Sequence, residues 1–164
     1  MFASRKYIIY EANRKGKEYY DYCGSLEFED EYLNGKWRAF YFNNGIKFEG
    51  EYLNGKRNGK GKAFYYNNGI KFEGEYLNGK RDGKGKEYDF NGKLTFEGEY
   101  INGERNGKGK EYRYDGTLIF EGEYLSGEVN GKGKEYDYNG ELVFEGDYLY
   151  KQRLRGSTFC DGKL

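Results

Sequence analysis

The chain has 164 residues, with 28 Lys plus Arg against 28 Asp plus Glu, so its formal net charge is zero, and it contains no histidine and no proline. Zero net charge argues against bulk electrostatic attraction to nucleic acid, and the lack of histidine removes Ser-His and Cys-His catalysis and most transition-metal sites. Low mean hydropathy would allow disorder, but aromatics make up 20% of residues and recur in register with 27 glycines, which supplies the buried area a disordered chain lacks.

Taken in order, the chain opens with MFASRKYIIYEANRKGK. This stretch lacks the apolar core of a secretory signal, and Phe2 stands where myristoylation needs glycine. No segment approaches the roughly 20 apolar residues of a membrane span. An intracellular, cytoplasmic protein is expected, with peripheral membrane association as the alternative. Cys23 and Cys160, near opposite ends, read as two free thiols rather than a disulfide framework. The aliphatic run Tyr7 to Ala12 reads as an end strand shielding the first repeat, since arrays need atypical terminal units.

From Phe48 onward the sequence repeats itself. Phe48, Phe72, Phe96, Phe120 and Phe144 each open a copy, at a constant spacing of 24 residues. A period in this range indicates an array of stacked or adjacent units, each with too little apolar surface to fold alone. The expected organisation is one array over 1–164. An N-terminal cap and partial repeat fills 1–27, and a shortened repeat 28–47. Regular repeats follow at 48–71, 72–95, 96–119 and 120–143, then a degenerate C-terminal cap at 144–164. In the shortened copy Trp37 stands where later copies carry Gly61, Gly85, Gly109 and Gly133.

Within a copy the pattern is that of a β-hairpin. Phe72, Gly74 and Tyr76 alternate with Glu73, Glu75 and Leu77, a period of two. Asn78-Gly79 and Asn91-Gly92 are turn dipeptides that tolerate positive φ. Strand one is expected over about 70–77 and strand two over about 84–90. Across the first turn, Tyr76 is expected to face Gly85, and Glu75 to face Lys86. Across the second, Gly85 is expected to face Gly98, Glu87 to face Phe96, and Lys86 to face Glu97. One face then carries rings over glycines, and the other a ladder of opposite charges. The fold class is all-β, an antiparallel meander of some dozen short strands.

Phe72 to Gly85, FEGEYLNGKRDGKG, resembles the MORN (membrane occupation and recognition nexus) repeat, and the resemblance runs through five copies in phase. The chain departs from the family pattern in having Asn58, Asp82, Asn106 and Asn130 where histidine is common, Phe for the first Tyr, and Tyr for the common Trp. NGKL at 91–94 and GKW at 35–37 are similar to a variant MORN repeat of bacterial antitoxin-like proteins. The resemblance implies an elongated single-layer antiparallel sheet of hairpin repeats, twisted or curled into a groove lined by aromatics. It also implies a non-catalytic role in protein or lipid binding, often with self-association.

No enzyme motif competes with that reading. Glu73 and Glu75 recur in every copy beside lysines, as a solvated charge ladder does, not as an acid/base pair. The Gly-Lys-Gly runs match neither GxxxxGK[ST] nor GxGxxG. No cofactor and no metal are expected. The first functional expectation is a protein-binding scaffold presenting Phe48, Tyr52, Phe72, Tyr76, Phe96, Tyr100, Phe120 and Tyr124 to a protein partner or a second copy. The alternative is binding of anionic phospholipid through an edge formed by Lys56, Arg57, Lys60, Lys62, Lys80, Arg81, Lys84 and Lys86. Positive charge at this edge fades along the chain, since the copy at Phe120 has Glu128 and Val129 in place of Lys80 and Arg81.

Overall fold

The computed structural model describes residues 27–33, 36–40, 46–65 and 67–159, with side chains from residue 47 onward. The aliphatic run at 7–12, both cysteines and the final DGKL lie outside these residues. Twelve β-strands follow one another: β1 (Glu27–Leu33), β2 (Lys36–Phe40), β3 (Ile46–Leu53), β4 (Lys56–Phe64), β5 (Ile70–Leu77), β6 (Lys80–Tyr88), β7 (Leu94–Ile101), β8 (Glu104–Tyr112), β9 (Leu118–Leu125), β10 (Glu128–Tyr136), β11 (Leu142–Leu149) and β12 (Gln152–Thr158). The chain divides into two compact units, Met1–Lys80 and Arg81–Leu164. In the first, β1 to β5 pair as an antiparallel meander, and in the second β6 to β12 do the same. No helix occurs among the described residues. The all-β meander read from the sequence is the fold.

Two kinds of turn alternate. The short ones place both central residues at positive φ, as in Asn54 (51°) with Gly55 (72°) and Asn102 (54°) with Gly103 (97°). That pair of values suits the twist of an antiparallel hairpin. The longer connections of the second unit are built on an aspartate, and the one at 65–69 on Asn67. Asp89 Oδ1 accepts from the amides of Asn91 (2.9 Å) and Lys93 (2.8 Å), and Asp137 accepts likewise from Asn139 and Glu141, the local side-chain bond that makes aspartate a turn former. This connection ends β6 at Tyr88 rather than at the expected 90, and the strand starts at Lys80, directly after the short turn, rather than at 84.

The register across the longer connections is the expected one, with Gly85 opposite Gly98, Glu87 opposite Phe96 and Lys86 opposite Glu97. Across the short turns it differs from expectation. In β7–β8, Gly98 rather than Tyr100 stands opposite Gly109, and Tyr100 stands opposite Arg105. Three residues of β8 therefore face one residue, Glu99, of β7, which is a β-bulge. Gly107 makes it, at φ 78°, and a Cβ there would lie 2.0 Å from Glu99 Oε2. That carboxylate accepts a bond from the Lys108 amide at 3.2 Å, as Glu123 does from Lys132 at 2.9 Å. In these two copies the second glutamate of FEGEY thus closes the bulge. In the shortened copy the backbone puts Trp37 opposite Gly50, the place glycine holds in later copies.

Candidate functional site

The ring face is built on glycine pairs. Gly98 and Gly109 stand opposite one another, and Phe96 lies across both. A Cβ on Gly109 would come within 2.5 Å of the Phe96 ring, so no larger residue fits there. Tyrosines then bridge successive phenylalanines edge-on. In the second unit the ring centroids run Tyr100–Phe96 5.7 Å, Phe96–Tyr124 5.3 Å, Tyr124–Phe120 5.7 Å, Phe120–Tyr148 5.5 Å and Tyr148–Phe144 5.4 Å. In the first unit Tyr76 bridges Phe48 and Phe72 in the same way, at 5.1 and 5.5 Å. T-shaped pairs at these distances are favourable beyond their area burial.

This geometry corrects the expected docking face. Phe48, Phe72, Tyr76, Phe96, Tyr100, Phe120 and Tyr124 are all buried, and Tyr52 is half-buried. Rings packed against glycines and each other form the core.

Arginines cover those rings. Arg57 lies 4.3 Å above Phe48, Arg105 3.9 Å above Phe96 and Arg153 4.6 Å above Phe144, a cation–π geometry. In the second unit each guanidinium is also held by carboxylates. Arg105 donates to Glu87 at 2.6 Å and to Glu111 at 2.5 Å. Arg81 bonds the other oxygen of Glu87, and Arg153 bonds Glu135, which also accepts from the Tyr148 hydroxyl at 2.7 Å. Burial raises the Glu87 carboxyl, but bonds and charge from Arg105, with charge from Arg81, outweigh it and leave the pKa below the ordinary value. The Arg153 bond likewise holds Glu135 low.

The opposite face carries the charge ladder. Lys62 meets Glu73, Lys86 meets Glu97, Lys110 meets Glu121 and Lys134 meets Glu145, each at 3.4 Å. Tyr112 donates to Glu97 at 2.6 Å and Tyr136 to Glu121 at 2.8 Å, and these bonds come first among the causes that lower both carboxyls. Burial, with the glutamate bond and charge, pushes the Tyr112 and Tyr136 phenols up to about 12.

The expected basic edge therefore separates into two sets. Arg57 and Arg81 turn to the ring face, where Arg81 lies 5.7 Å from Tyr100. Lys62 and Lys86 are paired on the other face. Lys60 stands opposite Glu75 and Lys84 opposite Glu99. Lys56, Lys60, Lys80 and Lys84 are exposed. Within neither unit do these residues form one basic patch.

A different row was missed. Leu53 and Leu77 in the first unit, and Ile101, Leu125 and Leu149 in the second, are each about half exposed, from 46% to 51%. Each ends its strand beside a short turn, on the charge-ladder face. Their recurrence every 24 residues, one step out of phase with the rings, was the signal available. Among the described residues no group of His, Cys, Asp and Glu is arranged to hold a metal, and no helix is long and apolar enough to cross a membrane.

The hairpin geometry agrees with comparison to known proteins. A search of curated protein sequences returned no match. The family model described as MORN repeat matches residues 48–70, 72–93, 96–118 and 120–141. Each match opens on the core phenylalanine of one hairpin and ends within the aspartate-type connection or at the start of the next strand. With more than half of its length matched in four consecutive copies, the chain belongs to the MORN repeat family.

Proposed function

We propose that this repeat scaffold is non-enzymatic and binds a protein partner through its row of exposed aliphatic side chains. The observation that carries the reading is the repetition of one half-exposed aliphatic at the same place in every regular copy. A single exposed leucine is ordinary, but Ile101, Leu125 and Leu149 sit on alternate strands of one meander, a spacing of roughly 10 Å. Flanking glutamates and lysines give the row the polar rim typical of interfaces. The same geometry gives less support to binding of anionic phospholipid, because the arginines of the basic edge are committed to the rings.

The test is the double variant Ile101→Ser, Leu125→Ser. Its thermal midpoint should stay close to wild type, since surface substitutions usually change stability by no more than about 0.5 kcal/mol. Affinity capture and vesicle sedimentation are then run on both proteins, with phosphatidylserine and phosphatidylcholine vesicles. Loss of a stoichiometric protein partner from the variant supports the reading, and a second copy of the chain counts as such a partner. Sedimentation with phosphatidylserine vesicles, unchanged in the variant, replaces it with the membrane reading.

A further inference from the structure

The ring-face ladder of the second unit skips a rung. Arg81, Glu87, Arg105 and Glu111 alternate in sign, and Glu135 and Arg153 close the series. Between the two carboxylates Glu111 and Glu135 stands Val129, the residue one repeat beyond Arg105. Arg105 stacks on Phe96 and bridges Glu87 and Glu111. Moved on by one repeat, the same cradle consists of Phe120, Glu111 and Glu135, with Tyr148 in place of Tyr124. These four residues and Val129 line an open pocket of ≈ 360 Å³.

The cradle is complete except for its cation. Phe48, Phe96 and Phe144 each carry a guanidinium over the ring, and Phe120 carries none among the described residues. Glu87 accepts a different arginine on each oxygen, and Glu111 accepts Arg105 on one. Glu135 takes Arg153 on both oxygens and the Tyr148 hydroxyl on one, so a second guanidinium there would share its remaining lone pairs. Two cations line the pocket but are engaged elsewhere. Arg113 stacks 3.8 Å from Tyr138 and donates to the Tyr136 carbonyl at 3.4 Å, and Lys151 lies 3.9 Å from Glu128.

We propose that this pocket binds a guanidinium group, the side chain of an arginine presented by a partner protein in the place the chain's own arginine fills one repeat earlier. A guanidinium is planar, so it stacks on Phe120 while its fork reaches both carboxylates. An ammonium has no fork and satisfies the stack and the two glutamates poorly. A peptide arginine fits better than free arginine, whose α-carboxylate would approach Glu111 and Glu135. The site does not rest on the aliphatic row, which lies on the opposite face of the same strands.

The experiment titrates the full chain at fixed ionic strength with acetyl-arginine-methylamide, acetyl-lysine-methylamide and free arginine. Binding is followed by nuclear magnetic resonance at Phe120, Val129 and Glu135, with Ile101 as a remote reference. The blocked arginine should give saturable shifts confined to the pocket, with the lysine probe about tenfold weaker or more, as expected for loss of one bidentate contact. Val129→Arg should fill the cradle from within, raise the thermal midpoint and abolish the shifts. Glu111→Gln should weaken binding at least severalfold if Val129→Arg disturbs the fold. Absence of saturation, equal shifts in Val129→Arg, or equal binding of the lysine probe would overturn the site. Tighter binding of free arginine than of the blocked probe would overturn the assignment to a partner's side chain.

Discussion

The two compact units lay the same rings over the same glycine pairs and cover them differently. In the first, Arg57 lies over Phe48, and Ala63 stands opposite both Phe48 and Phe72. In the second, glutamates take the place of that alanine. Glu87 stands opposite Phe96 and grips Arg105 and Arg81. The rings and glycines are thus what the fold requires, since both units have them. Arginine over the ring is a second layer common to both, and, among the described residues, the carboxylates that hold it are a third layer seen in the second unit.

The largest expected effect tests the shared layer. Tyr76→Ala and Tyr124→Ala each remove a ring that bridges two phenylalanines, and each should cost about 3–5 kcal/mol. Because arrays need not unfold in one step, the readout is amide hydrogen exchange resolved by unit. A small effect in either unit would mean that the rings are not the common foundation.

Arginine truncation should separate the units. Arg105→Ala strips the cover from Phe96 and leaves Glu87 and Glu111 each short of a partner. Full burial would make this about 3–5 kcal/mol, but side chains of 21–30% exposure bring it to about 2 kcal/mol. Arg57→Ala loses mainly the stack on Phe48, about 1 kcal/mol. Equal losses would show that the carboxylates add nothing.

Acid should act on the same difference. Glu87, Glu97, Glu121 and Glu135, all in the second unit, have lowered pKa values. A carboxyl held low in the folded state stabilises fully above its unfolded value, about 4.3 for glutamate, and the contribution drains away as pH falls through the folded value. Urea midpoints measured from pH 7 to pH 3 should therefore fall, and fall less in Glu87→Gln, Glu135→Gln. A parallel fall in that variant would place the acid sensitivity elsewhere.

The smallest expected effect carries the third layer into the first unit. Ala63→Glu puts a carboxylate within reach of Arg57 and should stabilise by about 0.5 kcal/mol, the scale of a partly exposed pair. A loss of stability there would mean that the alanine is needed for packing against Phe48 and Phe72.

How far the sequence reads through to this picture depends on which residues carried two signals at once. Gly85 opposite Gly98 was legible because the turn dipeptide, the glycines and the Lys86–Glu97 pair all demanded that register. The short-turn register, read as Tyr76 opposite Gly85, does not hold in the equivalent hairpin, where Tyr100 stands opposite Arg105. A bulge adds residues without altering the alternation on either side of it, and Gly107 looks like any other turn glycine. Arg57 and Arg81, the counterparts of Arg105, were read as part of a basic edge with the lysines. Yet Arg105 shares its parity with Gly107, Gly109 and Glu111, and that alternation alone puts it on the ring face. Val129 was read as a fading charge. Only the packing turns it into a gap between two carboxylates. That rings over glycines supply the burial was legible; that arginines lie over those rings was not, because a period of two says which residues share a face and not what lies on top of it.

The short turns also reach backward. The Gly103 amide donates to the Arg81 carbonyl at 2.8 Å, Gly127 to Arg105 at 2.9 Å, and Lys151 to Val129 at 2.9 Å. Asn102 adds a bond to the Asp82 side chain at 3.1 Å. In each case the acceptor lies about one repeat earlier in the chain. A hairpin emerging from the ribosome thus finds the groups that lock its turn already made and already in place, and never has to wait for sequence still to be synthesised. Every such closure spans about two dozen residues at most, the local wiring that favours rapid folding. This wiring allows each unit to assemble in the direction of synthesis, one hairpin docking at a time.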